Sequence, residues 1–156
     1  MADAAYEAIV QRLQEAGVDH RTFEHEAVRT SEEAAAVRGT PLEQGAKALV
    51  LECGEGLILA VLSAAGKVDF KALKEAFDTR RVQMAPAGRV REVTGCEPGG
   101  VPPFGDLFGL PTVVDPSLLE NEWIDFNAGE RTRSVEMRAV DYVRLSGAQV
   151  LSFCKR

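Results

Sequence analysis

The chain has 156 residues, 46% apolar and 27% charged, with 24 acidic and 18 basic groups and a net charge of −6. That length suits one domain burying roughly two-thirds of its unfolded surface, and that charge excludes a protein that coats nucleic acid indiscriminately. No apolar run reaches the roughly 18 residues of a membrane helix. The N-terminus is acidic and amphipathic rather than a secretory leader, and three cysteines without a Cys-x-x-Cys fit a reducing compartment, so a cytoplasmic protein without a membrane partner is expected.

In chain order, Ala5, Ile9, Leu13 and Ala16 mark one face of a helix predicted over 3–16 and stopped by Gly17. Val18 to Glu24 follows as a strand. Thr30-Ser31-Glu32-Glu33 is a capping box opening a short helix through Val37, which Gly39 and Pro41 end. Ala46–Cys53 and Leu57–Ala64, joined by Gly54-Glu55-Gly56, form a buried hairpin. Asp69 caps a helix to Phe77, and Arg81–Met84 is a strand. Pro86 suits the first turn of a helix that Gly95 closes.

A glycine–proline loop then runs from Gly95 to Gly105. Pro111–Val114 is a short strand and Pro116–Glu120 a turn of helix. Glu122–Phe126 and Ser134–Arg138 are strands around Asn127-Ala128-Gly129. Asp141–Leu145 is a short helix, and Val150–Phe153 the last strand. With no repeat, low-complexity tract or linker, residues 1–156 form one α+β domain, a mixed or largely antiparallel sheet flanked by helices.

Two features stand out of this frame. Lys47 alternates with Ala46 and Ala48, and so points the same way as Leu49 and Leu51. A lysine on an apolar strand face must find a partner, reach solvent or line a cavity. The second feature is Gly95-Cys96-Glu97-Pro98-Gly99-Gly100-Val101-Pro102-Pro103-Phe104-Gly105, whose glycines allow close approach to backbone amides. A cation beside free amides suits an anionic or carbonyl-bearing substrate.

Other chemistries fare worse. No P-loop or Gly-x-Ser-x-Gly elbow occurs. His20 and His25 have no third ligand near them in sequence, so no metal is expected. Cys96 has two readings, a small core residue or a thiol nucleophile. The charge is also uneven. Lys67, Lys71, Lys74, Arg80, Arg81, Arg89 and Arg91 face only Asp69, Glu75 and Asp78 within residues 66–91, which is either a solvated helix face or a phosphate-contacting patch.

Phe23-Glu24-His25-Glu26, Lys47-Ala48-Leu49-Val50, Lys67-Val68-Asp69, Gly99-Gly100-Val101-Pro102-Pro103-Phe104-Gly105, Pro111-Thr112-Val113-Val114-Asp115 and Asn127-Ala128-Gly129 occur in this order. Together they resemble the YbaK/EbsC family, the domain also found inserted in, or standing beside, bacterial prolyl-tRNA synthetases. The resemblance spans nearly the whole chain. It implies a trans-editing deacylase that hydrolyses the ester of mischarged tRNA, most simply of the proline type, with no cofactor. It also implies an aminoacyl-tRNA acceptor end and a prolyl-tRNA synthetase as partners, and no DNA.

By the same resemblance, Lys47 lies in the pocket and Gly99 supplies backbone contact near the scissile ester; Lys47 is then expected as the positioning cation, with Gly99 and Gly100 as the backbone donors. Phe23, Asn127 and Ser134 are pocket residues, and attack is by water or by the substrate's own groups. Some relatives carry His-Pro where this chain has Asn127-Ala128, and the cysteine-clearing branch often has aspartate at the position of Ser134. The amino acid removed therefore stays open among Ala, Ser, Thr and Cys. Lys71, Lys74, Arg80 and Arg81 are the expected tRNA-backbone contacts. The rival readings are a catalytically silent nucleotide- or aminoacyl-binding module that partners a synthetase, and a thiol enzyme using Cys96.

Overall fold

In a computed structural model describing residues 2–27 and 30–155, the chain begins with helix α1 (Ala2–Ala16) and strand β1 (His20–Glu24). Helix α2 (Ser31–Arg38) leads into the hairpin of β2 (Ala46–Cys53) and β3 (Gly56–Ser63). Then come β4 (Lys67–Val68), α3 (Phe70–Ala76), β5 (Val82–Met84) and α4 (Ala87–Thr94). The remainder is β6 (Thr112–Val114), β7 (Trp123–Asn127), β8 (Arg133–Arg138), α5 (Ala139–Ser146), β9 (Gln149–Val150) and β10 (Cys154–Lys155). Short 3₁₀ turns at Leu42–Gln44, Gly105–Phe108 and Leu118–Glu120 join them.

The caps act as their sequence suggests. The Thr30 hydroxyl accepts the Glu33 amide at 3.0 Å, and the Asp69 carboxylate accepts that of Ala72 at 3.3 Å. Each satisfies a donor that a helix start would otherwise strand.

The expected α+β class holds, but the strands divide among three sheets. The largest is mixed, in the order β5-β2-β3-β6-β9, with β2 antiparallel to both β3 and β5 and β6 parallel to both β3 and β9. Its central strand β3 is Leu-Ile-Leu-Ala-Val-Leu-Ser after its glycine because both faces are covered. Ala48, Val50, Leu59 and Val61 pack into a core with Ile9 and Leu13 of α1, Phe126 of β7 and Tyr142 of α5. Leu51, Ile58, Ala60 and Leu62 face the other way, onto Leu73 of α3 and Phe153. A three-stranded antiparallel sheet, β1-β8-β7, packs beside the first core.

Two elements depart from expectation. The last strand, expected over 150–153, is split: β9 ends at Val150, and the chain next pairs at Cys154, antiparallel to β4. The buried Asp115 carboxylate causes the break by accepting the amides of Phe153 and Cys154 at 2.7 and 2.9 Å. Those amides are thereby lost to a strand ladder. Helix α5 starts at Ala139, earlier than expected, as Tyr142 is drawn wholly into the core, where its hydroxyl donates to the Pro103 carbonyl at 2.7 Å. Among the described residues, no helix is long and apolar enough to cross a membrane.

Candidate active site

The two larger sheets meet at one point, an isolated parallel bridge between Gly45, just before β2, and Asp125 of β7. A cleft opens at this seam. Its walls are α2, the start of β2, the Pro98–Gly99 turn and the end of the β7–β8 hairpin with Asn127 and Arg131. Ala34, Ala35, Gly45, Ala46, Ala48 and Ala64 keep much of its lining small.

Lys47 lines the cleft, and its Nζ donates to the Gly66 carbonyl at 2.6 Å. It shares its strand face with Leu49 and Leu51, as alternation requires. A buried ion pair does not account for it: among the described residues its ammonium pairs with no carboxylate. Burial lowers its pKa below the usual lysine value. The fields of Cys154 and Glu32 oppose that shift, and that of Lys67 adds to it.

The two loop glycines divide their work. Gly99 lines the cleft at φ +90°, a conformation that L side chains resist, and its amide has no acceptor among the described residues. Its carbonyl accepts the Asn127 amide at 2.6 Å. Gly100 is instead buried, and its N–H donates to the Glu97 carbonyl at 2.8 Å. Its own carbonyl accepts the Gly129 amide at 2.8 Å. The expected pair of donors therefore reduces to Gly99, with the Gly100 amide committed to the turn that holds it. A Cβ on Gly100 would stand 3.2 Å from the Gly129 carbonyl, so that glycine serves close backbone packing.

Behind the cleft lies a polar network that the sequence did not announce. Arg38 and Asp125, with side chains 5% and 0% exposed, pair at 2.6 Å. Arg38 also donates to Asn127 Oδ1 and to Ser134 Oγ, both at 2.8 Å. Gln44 donates to Asp125 at 3.0 Å and to Glu136 at 2.9 Å. Burial raises the Asp125 pKa, against the pull of Arg38. The available signal was an aspartate between Ile124 and Phe126 in an otherwise apolar strand, which demands a buried partner. Nothing local pointed to Arg38, 87 residues away.

This network explains where the other expected pocket residues sit. Asn127 does line the cleft, with its amide oriented by Arg38 on one side and the Gly99 carbonyl on the other. Ser134 is fully buried behind it and lies outside the cleft lining. The His25 ring lies between the Glu26 carbonyl, 2.8 Å from Nδ1, and Ser134 Oγ, 2.7 Å from Nε2. Phe23 also lies outside the lining, half-buried with the Arg21 guanidinium 5.3 Å from its ring centre.

The basic segment is separate from the cleft. Lys71, Lys74 and Arg80 border a shallow depression with Glu75 and Asp78, and Arg81 is paired with Glu52 at 2.6 Å. Cys96 is buried in the first core outside the cleft, and burial pushes its thiol pKa up, away from the thiolate a nucleophile needs. Among the described residues, no group of three His, Cys, Asp or Glu is placed to hold a metal.

Comparison with known proteins gives the chain's family. The family model for the aminoacyl-tRNA editing domain matches residues 25–145. The chain is 37% identical over 153 residues to the multifunctional Ser/Thr-tRNA deacylase ProXp-y of Escherichia coli, covering 95% of this chain and 92% of that one. It is 32% identical over 129 residues to YwhH of Bacillus subtilis, a protein of no stated activity, covering 81% of each. A solved structure of a candidate trans-editing enzyme for prolyl-tRNA synthetase superimposes with a TM-score of 0.85 at 27% identity, covering 97% of this chain and 98% of that one.

Proposed function

Because the chain belongs to the aminoacyl-tRNA editing domain family, we propose that it is a trans-acting deacylase that hydrolyses the ester of mischarged tRNA in the cytoplasm. The observation that carries this reading is the cleft's charge. In a chain of net −6, the described lining contains Arg38, Lys47 and Arg131 and no carboxylate. Arg38 is neutralised by Asp125, and the charge left over favours a polyanionic substrate whose reacting ester becomes an oxyanion.

In this reading water attacks the ester carbonyl and the carbonyl oxygen gains negative charge. Lys47, held by Gly66, and the unpaired Gly99 amide stabilise that charge. The C–O bond to the ribose then breaks. Of the two protons of the attacking water, one passes to the ribose oxygen and the other to solvent, and the free amino acid leaves as its carboxylate. Asn127 holds the Gly99 turn in place, and Arg38 holds Asn127. No organic cofactor or metal enters the scheme.

The amino acid removed is serine or threonine, by likeness to the Escherichia coli relative. Thr30, Ser31 and Asn127 give the cleft a polar side for a hydroxyl-bearing side chain, among the small residues Ala34, Ala35, Ala46, Ala48 and Ala64. The tRNA is of the proline type, and a prolyl-tRNA synthetase is the partner whose errors are corrected, by likeness to the structural neighbour. Lys71, Lys74, Arg80 and Arg81 contact the tRNA backbone.

Deacylation of proline tRNA charged with Ala, Ser, Thr or Cys, each compared with its cognate tRNA, tests the reading. The Ser and Thr esters should be cleared fastest. Stoichiometric binding without turnover on any of them would make the protein a binding module instead.

A further inference from the structure

Arg131 has no part in the chemistry just described, yet it is the cleft's most available charge. Among the described residues, every arginine except Arg80 and Arg131 is paired with a carboxylate. Arg80 lies in the separate depression beside α3. Arg131 is half-buried at the cleft, and its stem lies over Gly99: a Cβ added there would be 3.6 Å from Arg131 Cδ. A half-buried guanidinium with no carboxylate partner among the described residues, beside a turn whose amide has no acceptor among them, is arranged to receive an anion.

An aminoacyl ester at the end of an RNA chain limits which anion that is. Its acyl carboxyl is esterified, so that end of the substrate offers a guanidinium no carboxylate in the ground state. The nearest negative charge is the phosphate on the 5′ side of the terminal nucleotide. Lys47, on β2, is held by the Gly66 carbonyl, whereas Arg131, on the β7–β8 hairpin, lies against Gly99 with no such tie among the described residues.

We propose that Arg131 binds the 5′-phosphate of the terminal nucleotide, so that the cleft recognises a nucleotide rather than a free aminoacyl group. This rests on the deacylase reading and adds a phosphate subsite to it. A planar guanidinium can hold two phosphate oxygens at once, whereas lysine offers a point charge.

The test compares two small substrates, the 3′-seryl ester of AMP and the 3′-seryl ester of adenosine, which differ only in the phosphate. The wild-type protein should show a KM about tenfold lower for the AMP ester, the size expected of one charge-assisted contact. Arg131→Gln should erase that gap by raising KM for the AMP ester alone, with kcat unchanged, and Arg131→Lys should restore part of it. A gap that survives in Arg131→Gln, or its absence in the wild type, overturns the assignment. If the wild type hydrolyses neither ester, the deacylase reading fails by itself. Binding of AMP against adenosine, followed by NMR shifts, then decides the subsite: selective loss of AMP binding in Arg131→Gln upholds it, and equal binding in both proteins overturns it.

Discussion

Lys47 shows how much one residue's surroundings decide. Half-buried at the cleft, it carries a charge that burial opposes and only a backbone carbonyl compensates. An exposed lysine titrates near 10.5, and this one releases its proton earlier. Between the lowered value and 10.5 the unfolded chain binds more protons than the folded one, so Lys47's contribution to stability rises with pH there and is unfavourable below. Lys47→Ala should lower deacylation roughly 10²–10³-fold while leaving the melting temperature nearly unchanged. Wild-type turnover, corrected for spontaneous ester hydrolysis, should decline at a pH below 10.5 as the charge is lost. A folded Lys47→Ala protein with normal turnover would remove the lysine from the mechanism.

At the scale of elements, the site exists because the end of α2, the start of β2 and the β7–β8 hairpin are tied together by one ion pair. Arg38, in the last turn of α2, reaches Asp125, Asn127 and Ser134 at once. Removing one member of a buried pair leaves the other uncompensated, at a cost of about 3–5 kcal/mol, whereas removing both charges costs much less. Arg38→Met should therefore destabilise strongly in urea denaturation. Adding Asp125→Asn, which keeps an acceptor for Gln44, should recover a large part of that loss. Additive losses would mean that the two residues do not act as a unit. The same tie accounts for Ser134: expected at the pocket, it supports Arg38 from behind.

For the whole molecule, the difficulty is an acidic protein that must hold an acidic nucleic acid. The surface carries many acidic groups paired locally with arginine, as in Arg91 with Glu97 and Arg138 with Glu122, and the charge-rich segment lies away from the cleft. If tRNA runs from the cleft over that segment, Arg80→Ala combined with Arg81→Ala should raise KM alike for every charged tRNA. The salt dependence should flatten by about 0.7–0.9 in slope per lost phosphate contact, with amino acid preference unchanged because phosphate contacts position without specifying. Arg81 is held by Glu52, so Arg80 should account for most of the effect. An unchanged KM and salt slope would place the tRNA backbone elsewhere.

Local sequence determined what local forces control. Thr30 and Asp69 capped their helices, Gly54-Glu55-Gly56 turned the central hairpin, and alternation set Lys47 on the face of Leu49 and Leu51. These outcomes depend on neighbours within a few residues, so the chain states them directly. The tertiary structure alone decided which distant groups meet. Arg38 finds Asp125 87 residues on, Asp115 breaks the last strand by taking the amides of Phe153 and Cys154, and the Gly100 amide turns inward while that of Gly99 stays free. The placement of the β7–β8 hairpin likewise sets the Arg131 stem beside Gly99. Buried polar groups must be satisfied, but sequence does not name the partner, because that choice is made by packing across the seam between the sheets.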